Sequence, residues 1–122
     1  MKRAEPKMER ASGEIKRLAG LLEDEIAGWP GLTMRPMFGM TGLYRGKRIF
    51  AALPRTRTLG TPNSIIFRFD PLPPSLARRA KADERIRFGQ PGARWYSFEL
   101  SSAEELNDAL WWLNRAYEAT RS

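Results

Sequence analysis

Three methionines at equal spacing, Met34, Met37 and Met40 in the stretch MRPMFGM, are the first side chains whose type and pattern could do chemistry. Thioethers are soft ligands and suit Cu(I). On a continuous strand, though, positions 34 and 40 project to one side and 37 to the other. Pro36 and Gly39 also break any helix that would gather the three. The expectation is core packing by adaptable side chains, with no metal. Gly39, Gly42 and Gly46 lie in the same region, yet no Gly-Lys-Ser/Thr closes the run as a phosphate-cradling loop requires. Turns and bends of an antiparallel sheet account for these glycines. Met37, Phe38, Gly39 and Gly42 therefore read as structural.

Catalytic groups are scarce. The chain has neither cysteine nor histidine. That removes thiolate nucleophiles, disulfides, the commonest general base and any serine–histidine–aspartate triad. Glu23, Asp24 and Glu25 are sequence neighbours on a predicted helix and point apart, so a solvated face is expected. Glu104 and Glu105 fall in the first turn of another helix, where they favour its dipole. No two carboxylates are placed to work across a cleft. The residues predict a non-enzyme without a cofactor.

Charge is the stronger signal. The net charge is +7 over 122 residues, and it is concentrated in the middle: residues 29–98 carry +10, residues 1–28 are neutral and residues 99–122 carry −3. Arg55 and Arg57 sit in a polar stretch, Arg78, Arg79 and Lys81 on a short predicted helix, Arg85 just beyond it, and Arg94 before Trp95 and Tyr96. Basic side chains interleaved with aromatics can hold phosphates and stack bases, so these seven are candidates for nucleic-acid or anion binding. A high isoelectric point alone explains the same residues as a solvated surface. A third reading is an enzyme or small-anion pocket using Arg35, Arg68 or Tyr96.

These residues need positioning elements. A chain of this length is one domain. Residues 1–11 are expected to fray, and 12–122 to form a single α+β unit. Ser12 caps a helix to about Trp29, with Ile15, Leu18, Leu22, Ile26 and Trp29 as its apolar stripe. Strands are expected at 32–38, 41–45, 47–53, 64–69 and 94–100, with Gly46 turning the second hairpin. Residues 54–63 read as a loop and 75–84 as a short helix. Ser102 and Glu105 form a capping box for a last helix whose stripe is Leu106, Leu110, Leu113 and Tyr117. The fold class is an antiparallel sheet of four to five strands packed by an N-terminal, a short middle and a C-terminal helix.

On that last helix, Trp112 falls roughly 120° from the stripe and Trp111 roughly 140° away on the other side. Tryptophan is enriched at interfaces, so Trp111 and Trp112 are candidates for a homodimer or protein-partner contact. The alternative packs Trp112 under a loop and Trp111 against a charged stem. No apolar run approaches the ~20 residues of a spanning helix, and the charged N-terminus lacks a secretory h-region. A soluble, cytoplasmic protein without membrane contact is expected.

The stretch RPMFGMTGLYRGKRIFAAL resembles the opening of the TfoX N-terminal domain family, with its Met-Phe-Gly, Gly-aromatic hairpin and FA strand. FRFDP, RFGQPGARWYSFEL and AEELNDALWWLNRAYEA follow in the same order, so the resemblance covers roughly residues 15–119. The closing part is also similar to small bacterial domains labelled luciferase-like. The resemblance implies a compact α+β domain, in some proteins part of a regulator of DNA-uptake competence, and supplies no catalytic residues. The expected function is a small regulatory or protein-interaction module. The alternative is a nucleic-acid-binding module using the basic 55–94 surface.

Overall fold

The computed structural model describes residues 8–88 and 94–120. Alternating side chains build its strands: Ile65 and Phe67, like Tyr96 and Phe98, point one way while their neighbours point the other. The order is β1 (Met8–Arg10), α1 (Gly13–Ile26), β2 (Leu32–Met37), β3 (Met40–Arg45), β4 (Arg48–Pro54), β5 (Arg57–Leu59), β6 (Ser64–Arg68), α2 (Pro74–Ala82), β7 (Ile86–Phe88) and β8 (Trp95–Glu99). A single 3₁₀ turn, Ala103–Glu105, then leads into α3 (Leu106–Ala119). Six strands form one antiparallel sheet in the order β2-β3-β4-β6-β8-β7, and β1 pairs with β5 as a separate ribbon.

The α+β class and the three helices are as expected, but the strand count is larger than four to five. β1 lies in the segment assigned as frayed, and β5 in the stretch assigned as a loop. Three residues carry no readable period, and each of these strands exists through pairing with the other, Met8 with Leu59 and Arg10 with Arg57. Residues 1–7 of the supposed frayed segment lie outside the described residues.

Both long helices pack on one face of the sheet. Ile15, Leu18, Leu22 and Ile26 of α1 are fully buried, and Ser12 caps the helix by accepting the Ile15 N–H at 3.1 Å. Helical structure ends at Ile26, a turn short of the stripe, but Trp29 still reaches the core, 4.9 Å from the Tyr117 ring. An irregularity in the β3–β4 pairing opposite Leu43 and Tyr44 places Phe50 and Ala51 in the same core. Phe50 thereby meets both Trp29 and Tyr117.

The last helix is rotated relative to the expected stripe. Ala109, Trp112, Leu113, Ala116 and Tyr117 face the sheet, whereas Leu106 and Leu110 are only partly buried. Trp112 decides this orientation: its indole stacks on Phe67 with centroids 5.5 Å apart and planes 8° from parallel. A tryptophan buries more apolar area than a leucine, so the helix turns to seat it. The capping box does not form at Ser102; Glu105 instead accepts the Ser101 N–H at 2.9 Å.

Met40, Ala52 and Ile66 lie on the opposite sheet face, under Met8, Leu59, Met37 and Trp95. Met37 and Met40 are cross-strand partners, while Met34 sits opposite Leu43 on the helix side. Spacing along a continuous strand groups Met34 with Met40; the turn between Met37 and Met40 reverses the chain and pairs Met40 with Met37 instead. β2 is an edge strand and carries Pro36 within it. Among the described residues, no helix is long and apolar enough to cross a membrane.

Candidate functional site

β2 and β3 remain paired from the last residue of β2 to the first of β3, Met37 opposite Met40, leaving a two-residue turn of Phe38 and Gly39. Such a turn needs positive φ at both positions to follow the strand twist, and Asn-Gly is the usual solution. Here φ is 49° at Phe38 and 80° at Gly39. Phenylalanine is an unusual choice for the first position, since its Cβ is strained there. Nor is it held by packing: Phe38 is 84% exposed. Conformation and exposure both work against this residue.

The carbonyl of Gly39 accepts three backbone N–H groups, from Arg55 at 3.1 Å, Thr56 at 2.9 Å and Arg57 at 3.0 Å. Residues 55–57 are thereby pinned against the turn. A Cβ added at Gly39 would lie 2.7 Å from Cγ of Arg57, so the arginine stem rests on the turn itself. Arg55 and Arg57 are exposed and, among the described residues, have no acidic partner. Arg10 adds a third charge opposite Arg57 in the ribbon, while Glu9 projects to the other side of it by alternation. The hairpin tip is therefore an exposed aromatic beside uncompensated guanidiniums.

The other candidate cations are placed elsewhere and mostly engaged. Arg85 is held by three carboxylates, Asp83 at 2.8 Å, Asp108 at 3.0 Å and Glu105 at 3.2 Å, and lies over the Phe98 ring. Hydrogen bonding to Arg85 holds the Asp83 carboxyl below the usual range, and the same contact raises the guanidinium pKa. Arg94 and Arg68 share Asp70, at 3.0 and 3.3 Å. Arg79 of α2 sits 3.9 Å over Trp111, while Arg78 and Lys81 are exposed on the same helix. By register, Arg55 and Arg57 adjoin the Pro54 and Ser64 ends of the strands, whereas Arg68 and its partners occupy the far end. Arg94 thus lies at the opposite end of the strands from Arg55 and Arg57.

Trp112 is 1% exposed, so it cannot face a partner, contrary to expectation. Trp111 is half-buried beneath Arg79 and Arg115, the charged-stem arrangement. Arg35 of β2 lies over Tyr44, three strands from β6, and Arg68 alternates to the sheet face opposite Phe67 and its partner Tyr96, so the three do not converge; Tyr96 faces the helices among Phe67 and Phe69. Burial pushes the Tyr96 phenol up. Among the described residues, no group of three or more acidic, histidine or cysteine side chains is placed to hold a metal.

No protein-family model, curated protein or solved structure matches the chain. The surface carries a second feature. Between α1 and α3 lies an open groove of about 380 Å³ lined by Leu21, Leu106 and Leu110, with Asp24, Glu25 and Asn107 beside them. Leu21 is 39% exposed. Sequence reasoning missed both features, having placed Phe38 in the structural set and Leu106 and Leu110 in the core. A phenylalanine preceding Gly39 in a two-residue turn was the available signal.

Proposed function

We propose that the protein is a non-enzymatic interaction module, of the kind its resemblance to the TfoX N-terminal domain implies, whose contact element is the β2–β3 hairpin tip. Phe38 is the anchor, and Arg55 and Arg57 flank it. One observation carries the reading: a large apolar ring held outside the fold in a strained conformation. Strain of this kind persists where function requires it. Buried aromatic and arginine side chains dominate the energetics of protein interfaces. The complementary partner offers an apolar pocket rimmed by carboxylates. Nucleic acid is the second reading, favoured by the basic middle of the chain, but the division of the arginines between two ends of the sheet supports it less well.

The test is fluorescence anisotropy with labelled acidic, leucine-containing peptides, set against labelled single-stranded and duplex DNA. Peptide binding is expected for the wild type, weakened about tenfold or more by Phe38→Asn and by Arg55→Glu/Arg57→Glu, a loss typical of an anchor residue. Peptide binding indifferent to both variants would refute the assignment. Tighter DNA binding that collapses with salt and is lost in Arg78→Glu/Arg79→Glu would establish the nucleic-acid reading instead.

A further inference from the structure

We infer that the partner is a second copy of this chain: Phe38 of one copy enters the groove between α1 and α3 of another, and Arg55 and Arg57 meet Asp24 and Glu25. This rests on the hairpin tip being the contact element. The groove has the chemistry the tip requires. It is lined by three leucines and two carboxylates, with Asn107 beside them. Asp24 and Glu25 are exposed and, among the described residues, belong to no ion pair, just as Arg55 and Arg57 do not. The two surfaces are thus unpaired, opposite in charge and each partly apolar.

Size is adequate. A volume of about 380 Å³ exceeds the ~150 Å³ of an apolar cavity known to accept a benzene ring, so a phenyl group fits with room for its approach. The groove exists because α3 turns to bury Trp112, which leaves Leu106 and Leu110 at the helix margin beside Leu21. Charge also divides along the chain: its middle, which carries Arg55 and Arg57, is strongly positive, while the segment that builds α3 is net negative. Copies approaching tip to groove are therefore steered together at low salt. Tip and groove are different patches, so one intact tip and one intact groove suffice for a contact.

That asymmetry supplies the experiment. Sedimentation velocity is run on the full chain from about 10 to 500 µM at about 50 mM salt, and again at about 500 mM, where exposed charges are screened. The weight-average mass of the wild type is expected to rise with concentration at low salt and to rise far less at high salt. Phe38→Asn removes the anchor and Asp24→Lys/Glu25→Lys reverses the charge of the groove; each variant alone is expected to stay monomeric. Mixed one to one, they associate again, because each keeps the surface the other lacks. Circular dichroism confirms that both are folded. A monomeric wild type throughout, persistent association of either variant, or a silent mixture would each overturn the inference. If the wild type is monomeric yet acidic peptides still bind through Phe38, this inference fails and the hairpin-tip reading stands. If Phe38→Asn changes neither readout, both fail.

Discussion

Replacing Phe38 with asparagine should stabilise the protein while removing its anchor. An L residue with a Cβ in the left-handed region is strained by about 1–2 kcal/mol, and asparagine tolerates that region through its short polar side chain. Against this stands the apolar contact that is lost. A phenylalanine can bury roughly 150–250 Å² when fully covered. At 84% exposure Phe38 covers only a small part of that. The remaining sixth, roughly 30 Å², contributes about 0.8 kcal/mol at 25 cal/mol/Å². Strain relief therefore exceeds lost burial by up to about 1 kcal/mol, or a rise in Tm of about 2–5 °C for a domain of this length. Differential scanning calorimetry of wild type and Phe38→Asn measures it. A lower Tm for the variant would mean that Phe38 supports its own fold, and the argument from strain to function would fall.

Gly39→Ala should cost about 1–3 kcal/mol in urea unfolding, since the new Cβ meets the Arg57 stem as well as an unfavourable φ; Gly46→Ala, with open space around it, should cost about 1 kcal/mol. Trp112→Ala should cost about 3–5 kcal/mol by the same assay, and Trp111→Ala markedly less, because only Trp112 fills the core. Arg85→Ala leaves Asp83, Glu105 and Asp108 facing one another and should cost about 1–3 kcal/mol at neutral pH. Because Arg85 holds the Asp83 pKa below its unfolded value, that stabilisation is present above the ordinary carboxylate range and is lost as pH falls through the lowered pKa. Chemical denaturation between about pH 6 and 2 should show the wild type losing more stability than Arg85→Ala. Parallel curves would contradict the role given to this contact.

The helices and central strands were legible because their side chains repeat. Ile15, Leu18, Leu22 and Ile26 mark one face, and the Ser12 cap marks its start. Gly46 turns its hairpin with positive φ as its position in the sequence suggests. What escaped was decided by tertiary competition. Leu106 and Leu110 have the spacing of a core stripe, but Trp112 displaces them, and the groove follows from that displacement. The ribbon of β1 and β5 joins segments almost fifty residues apart and too short to carry a pattern. Arg85 reads as one more surface cation until Glu105 and Asp108 arrive from another element. Phe38 was hidden by a different cause. Its neighbours spell a hairpin, and a hairpin residue is assumed to serve the hairpin.

Pro36 has a consequence for any assembly. An open sheet has two rims, each a row of backbone groups that could recruit further strands. One rim here is β7, three residues long; the other is β2, where proline leaves a missing donor in the row. A visiting strand would find no continuous ladder on either side. Copies that meet through side chains can therefore part again by dilution or salt, without the backbone zippering that turns reversible association into fibre.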